Sequence, residues 1–334
     1  MKKLIMIALL LMVNTIQLHS QTKVGITAAN FLTIPVGARA SAMGGAFVAV
    51  ANDGSSAFWN PAGLSRIPHH EVNVTHAQWL VNTDLNWLGL ALKHGNGTIG
   101  ISVNQLDYGR EELTTEMNPN GTGQHWEAQD LAIILSYAHS LTDRFAIGGS
   151  FKYIQQKIWH ESADALAFDV GLLFDTQYHG LRIGMNIANF GTEMKMNGKD
   201  LYQPVDIDPG NAGNNDDIIA TMDPDSWSLP LFFTIGASME LMRNRNWLIT
   251  MATDATHPNN QKPFLNAGTE IIWHNFLALR AGYNSLFKLA AEEGLSLGFG
   301  FRYKIGDIIL VLDYGYMDFG VFDGVSRYSF AVRF

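Results

Sequence analysis

The chain has 334 residues, a formal net charge of −9 and no cysteine. The acidic balance disfavours nucleic acid as a partner, and the absence of Cys removes disulfide frameworks, thiolate metal sites and Cys nucleophiles. The length would fill two soluble domains, but no linker, charge block or low-complexity stretch divides it, so one continuous architecture is expected.

The first element is a basic start at Lys2 and Lys3, an apolar run from Leu4 to Val13 and a more polar stretch closing on Ser20 and Gln21. This pattern predicts a cleaved secretory signal peptide over residues 1–21. No Cys follows it, so no lipid anchor is expected. Its loss removes two Lys and no acid, which moves the formal charge to −11. Beyond it no apolar segment approaches the roughly 18 residues that a membrane helix needs. A membrane-resident mature chain must then be a closed barrel, the other architecture that satisfies every backbone group in lipid.

Residues 22–70 are rich in Ala and Gly and do not alternate. They hold Gly37 to Ala51, a turn cluster from Asn52 to Ser56, and Phe58 to Leu64. The segment is too short for a domain of its own and is expected to be stable as a plug packed inside a barrel lumen.

From Glu71 to Phe334 the sequence alternates with period two, placing large apolar residues on one face and small or polar ones on the other. In Leu295 to Tyr303, Leu295, Leu297, Phe299, Phe301 and Tyr303 share one face and Ser296, Gly298, Gly300 and Arg302 the other. Segments of about 9 to 12 residues suit tilted transmembrane strands. Short turns near 94–97, 140–143, 178–180, 243–246, 274–275 and 304–307 alternate with longer loops near 108–126, 158–163, 192–228, 254–262, 284–293 and 317–324, plus a shorter one near 80–84. The fold class expected is therefore all-β: a transmembrane antiparallel β-barrel of about 14 strands with an N-terminal plug, in contact with outer-membrane lipid. Trp79, Trp87, Tyr137, Tyr153, Trp247, Trp273, Tyr283, Tyr303 and Tyr316 lie near segment ends and predict interfacial girdles. The last segment sets Tyr328, Phe330, Val332 and Phe334 outward and ends on Phe, like the C-terminal signal read by the outer-membrane assembly machinery.

Several residues invite a chemical reading. Gly95 to Gly100 fits G-x-G-x-x-G, but a strand follows it where a dinucleotide site needs a helix, so a hairpin turn is expected. Asp206, Asp208, Asp216, Asp217, Asp223 and Asp225 crowd one loop without EF-hand spacing, which favours a solvated acidic external loop over a Ca²⁺ site. His69, His70 and His76 read as rim histidines. Neither a strand-to-helix nucleophile elbow nor a His-Glu-x-x-His helix is read in the chain, so neither an enzyme nor a cofactor is expected. Lys152, Asp169, Asp175, Arg182, Glu240, Glu270, Arg280, Arg302, Asp313 and Arg333 fall on the inner face and are expected to pair across the lumen and hold the plug, Arg39 among them.

The plug residues also carry a resemblance. Gly37, Arg39, Met43, Gly44, Gly45, Asn52 and Asp53, followed by Trp59, Asn60, Pro61, Ala62 and Gly63, resemble the N-terminal signature of the PorV/PorQ family, whose barrel is FadL-like (UPF0164-like). The resemblance implies a 14-stranded outer-membrane barrel with an N-terminal hatch. In PorV-type members such a barrel serves type IX secretion, with secretion components or exported cargo as partners. In FadL-type members it takes up long-chain fatty acids or other hydrophobic molecules, which leave sideways through a wall opening at a strand kink. The expectation leans to the PorV/PorQ role, with FadL-like transport as the alternative.

Overall fold

The computed structural model describes residues 25–206, 210, 218–288 and 291–334; the signal peptide expected at 1–21 lies outside the described residues. The main sheet has fourteen long strands: β1 (Glu71–Gln78), β2 (Asp84–His94), β3 (Gly97–Glu112), β4 (His125–Ser140), β5 (Phe145–Ile158), β6 (Glu161–Asp175) and β7 (Arg182–Gly191) precede a long excursion. After it come β8 (Phe232–Arg243), β9 (Trp247–Pro258), β10 (Phe264–Trp273), β11 (Leu277–Leu286), β12 (Leu295–Ile305), β13 (Ile308–Asp318) and β14 (Gly324–Arg333). Each pairs antiparallel with its neighbours in the chain. β1 then pairs with β14 from Glu71↔Arg333 to Ala77↔Arg327, which closes the sheet and leaves no long strand with a bare edge. His70 and Phe334 extend this seam with backbone bonds of 3.1 and 3.0 Å.

Period-two alternation sorts the faces. Leu295, Leu297, Phe299 and Phe301 are 38–50% exposed while Ser296 between them is fully buried, the inside-out arrangement of a barrel whose outer face meets lipid. Among the described residues no helix is long and apolar enough to cross a membrane. Trp247, Trp273 and Tyr303 stand exposed near the short-turn end, and Tyr283 and Tyr316 near the other. Two of the expected girdle residues belong elsewhere. Trp87 is buried on the inner face of β2, donates to Asn73 Oδ1 at 3.1 Å and meets the plug's Phe58 edge-on at 6.3 Å. Trp79 packs on Phe319, with the Arg327 guanidinium 5.1 Å from its ring. The apolar plug gives large side chains a partner inside the barrel, so an aromatic there need not face lipid.

Connections are short at one end and mostly long at the other. Gly95 and Asn96 make the first of the short turns, between β2 and β3, with Gly95 at φ +56°. The loop expected at 158–163 is instead a tight connection of Trp159 and His160, because β5 and β6 stay paired out to Ile158↔Glu161. The excursion between β7 and β8 folds on itself: Met194–Lys195 pairs with Ser226–Trp227, and Tyr202–Val205 with Ile218–Thr221.

Residues 25–70 thread the lumen. At the long-loop end Ala28 N–H donates to Ser228 O (3.0 Å) and Asn260 to Thr27 Oγ1 (2.8 Å). A 3₁₀ turn (Asn30–Thr33), α1 (Ala38–Ala42), α2 (Ser56–Trp59) and a second 3₁₀ helix (Pro61–Arg66) lead to the other end. There Lys93 Nζ donates to Ser65 O at 2.9 Å, and Arg66 pairs with Asp175. Small residues set this packing. A β-carbon on Gly282 would stand 2.2 Å from the Met43 carbonyl carbon, and one on Gly148 2.4 Å from Ala62 N. Phe47, Met43, Leu64 and Ile67 fill what remains and are fully buried, each stabilising by roughly 1.5–3 kcal/mol.

Candidate functional site

The plug is fastened by buried charge. Arg39, on α1, gives Nε and Nη2 to Glu270 of β10 at 2.9 and 2.8 Å, and Nη1 to Asn52 and Asp53 at 2.6 and 2.9 Å. Arg280 joins the same Glu270 (2.8 Å) to Asp313 (2.7 Å). Burial alone would raise the Asp53 carboxyl, but Arg39, helped by the Ser55 hydroxyl, holds it below the ordinary carboxylate range. Burial alone would lower Arg39; Glu270 and Asp53 together leave it above its ordinary value. Such bidentate, charge-assisted bonds orient as well as bind. Glu71 adds a further tie, accepting from Gly54 N–H (2.7 Å) and Arg333 (2.7 Å) beside the seam.

Each residue of the plug motif has a mechanical place. Gly37 precedes α1 at φ +85°, and Gly44 and Gly45 turn the chain at φ +64° and +74°. Met43 is buried among the wall glycines. Trp59 Nε1 donates to Val36 O at 2.8 Å. Asn60 accepts from Ala62 N–H, capping the helix that Pro61 begins, and its amide donates to Val48 O (2.8 Å) and Leu172 O (3.1 Å). Gly63 lies so close to Ala51 that a β-carbon would stand 2.6 Å from its carbonyl oxygen.

The inner-face charges divide into groups. Lys152 is buried with Asp169 (2.6 Å) and Asn189 (2.8 Å). Arg302 is half-buried, donates to Asn275 (2.9 Å) and borders a small gap of about 40 Å³ beside Arg39 and Asp53. Arg182 pairs with Asp175, which also takes Arg66, at the short-turn rim. Glu240 grips Arg243 three residues on, at the exposed end of β8, so it belongs to the rim and not to the lumen. His69 and His70 stay at the short-turn end, but His76 lies about 20 Å along β1 at strand rise, on the outer face beside Asn86. Asp223 pairs with Lys195; Asp208, Asp216 and Asp217 lie outside the described residues. Tyr328, Phe330 and Phe334 are exposed on the outer face, and Val332 is half-buried between them.

Above the plug, toward the long loops, is a cavity of about 120 Å³. Gly45, Val48, Phe58 and Trp59 line it from the plug; Asn186, Ala188, Thr234, Asp254, Thr256 and Asn266 line it from the wall. Gln261, Lys288 and Glu293 stand at its mouth, where Lys288 Nζ reaches Gln261 Oε1 at 2.9 Å. The wall beside it is irregular. The β10–β11 register slips between Leu265 and Ala267, where Ser285, at φ +57°, donates its N–H to Asn266 (2.9 Å). The β6–β7 register slips between Phe168 and Val170, where Asn189, at φ +63°, donates its N–H to Asp169 (2.8 Å). Thr256 and Phe264 line both the cavity and an apolar groove on the lipid face, bounded by Phe233, Ile235, Leu286 and Phe287. Sequence reasoning named none of the wall residues of this cavity except Lys152. The signal for Asp254 was present: it shares the inner face of β9 with Thr250, Ala252 and Thr256.

A family model described as "Uncharacterised protein family (UPF0164)" matches residues 7–158. Among curated proteins no sequence matches. The fold is similar to that of the Pseudomonas putida toluene transporter TodX, at 13% identity and a TM-score of 0.52, over 89% of this chain and 96% of that one. It is also similar to the CymD monoaromatic hydrocarbon channel (11%, TM-score 0.56, 89% and 96% covered). The Ralstonia pickettii toluene transporter TbuX gives 12%, a TM-score of 0.52, and 90% and 98% covered. At these identities the likeness is one of fold: a closed antiparallel barrel.

Proposed function

We propose that this chain is an outer-membrane barrel that admits small hydrophobic or amphipathic molecules from its long-loop end and releases them sideways. The carrying observation is that one pair of residues, Thr256 and Phe264, lines both the cavity above the plug and the groove on the lipid face. The register slip beside them supports a weak place in the wall, because a bulge leaves ladder bonds unmade. The tight plug supports a lateral route over an axial one. The solved barrels of similar fold are two toluene transporters and a monoaromatic hydrocarbon channel, which supports the same substrate range.

The test is uptake of radiolabelled toluene by cells carrying the barrel. Ala188→Trp fills the cavity from the inner face of β7 and is expected to reduce uptake at least fivefold with the folded barrel retained. Unchanged uptake would overturn this reading.

A secretion-associated scaffold of PorV/PorQ type is the second reading, favoured by the exposed apolar ribbon carrying Tyr202, Ile218, Ile219 and Met222. Affinity purification from native outer membranes separates the two: co-purifying secretion components support the scaffold, and bound lipid-like molecules without them support transport.

A further inference from the structure

The cavity is chemically lopsided. Leu32, Phe58, Trp59, Phe232 and Phe264 give it apolar surface. Asp254, 1% exposed, supplies a carboxylate in the same wall. Its Oδ2 accepts the N–H groups of Phe47 (2.7 Å) and Val48 (2.8 Å). Its Oδ1 has no hydrogen-bond partner among the described residues. This oxygen stands over Gly236 of the adjacent strand, where a β-carbon would lie 2.3 Å away, so it occupies room that any larger residue would take. Asn186, 5% exposed and also lining the cavity, has a side-chain oxygen in the same condition. The nearby cation does not answer them, since Lys152 is held by Asp169 and Asn189. Buried acceptors without donors are costly and rare.

We propose that the cavity is a binding site for a small apolar molecule bearing a hydrogen-bond donor, a hydroxyl or an ammonium, with the donor on Asp254 Oδ1 and the apolar body against Phe58 and Trp59. This deepens the transport reading and rests on it in taking the cavity as a ligand site. The size fits: an apolar protein cavity of about 150 Å³ takes benzene, and this one is about 120 Å³ with a mouth through which a longer body extends. Lys152 and Lys288, the cations of the lining, are bonded to other groups and not to Asp254, so a donor head is favoured over an anionic one at this acid.

The experiment is calorimetric titration of the full chain in lipid nanodiscs with four probes of similar size: phenol, benzylamine, toluene and benzoate. Phenol and benzylamine are expected to bind at least tenfold tighter than toluene, and benzoate weakest. Asp254→Asn keeps one oxygen for the Phe47 and Val48 N–H groups and puts an amide N–H₂ where Oδ1 stands. It is expected to abolish the benzylamine preference and improve benzoate binding. If that variant does not fold, Asn186→Leu carries the test with a few-fold loss of phenol affinity and toluene unchanged. Toluene binding as tightly as phenol and benzylamine, or a ranking untouched by either variant, overturns the donor site and leaves the transport reading standing, with water as the partner of Oδ1. Binding of none of the four overturns both.

Discussion

Arg39 sits in a five-residue helix otherwise made of Ala and Ser, yet its guanidinium spans from the plug's own Asp53 to Glu270 in the wall. A lone basic residue in an Ala- and Gly-rich stretch marks itself in the sequence. Its partner is 231 positions away, and no local pattern encodes that pairing. Arg39→Ala would leave Asp53 buried without its cation, whereas Glu270 keeps Arg280. Breaking a buried pair costs about 3–5 kcal/mol, and the lower end is expected here. Hydrogen exchange over residues 38–59 should accelerate by at least tenfold while the strands stay protected. Arg39→Lys should restore little, since an ammonium lacks the fork that meets both carboxylates. Unaltered exchange in Arg39→Ala would show that the network does not hold the plug. Asp254 was equally readable as an inward residue, but the oxygen it leaves free depends on where Phe47 and Val48 fold back.

The strands were legible because period two is local: a strand's own residues reveal its two faces. What the period does not carry is the identity of the surface opposite. Trp87 lies near a strand end, where a girdle aromatic would sit, but Phe58 and Asn73 receive it inside. Trp159 and His160 fall in a polar stretch that resembles a loop, yet β5 and β6 pair up to them. The wall glycines were visible as small inner residues; that Gly282 and Gly268 both press on Met43 was not. Gly282→Val therefore sets a branched side chain against plug backbone that cannot swing aside. Overpacking of this kind costs about 1–3 kcal/mol, and the wall or α1 must shift to absorb it. The variant is expected to raise ion conductance in planar bilayers above that of the parent. An equally silent barrel would mean that the contact is slack.

Across the whole molecule, closure depends on β1 and β14 meeting, and Phe334 takes part: it exchanges two backbone bonds with His70 and lies 5.5 Å, ring to ring, from its imidazole. Deleting Phe334 removes those bonds and the outermost member of the Tyr328, Phe330, Val332 row. The fraction of protein migrating as the compact, unboiled form on a denaturing gel should fall several-fold in cells. A reductant should change nothing, since the chain has no Cys. A deletion that assembles as well as the parent would count against any role for the terminal residue. The strand count was accessible from sequence because turns and loops alternate; the cavity was not, because it is assembled from six wall strands and the plug.

The plug touches Ser228 and Asn260 at one end of the lumen and Lys93 and Asp175 at the other, so the polypeptide passes through its own cylinder from rim to rim. A sheet already joined along β1 and β14 would have to be threaded lengthwise by this segment, carrying Phe47 and Leu64 with it. The order of events is therefore constrained. Docking of residues 27–66 along the inner face while the sheet is still an open, curling ribbon avoids that passage, and the seam that Glu71 and Arg333 fasten is then expected to shut last.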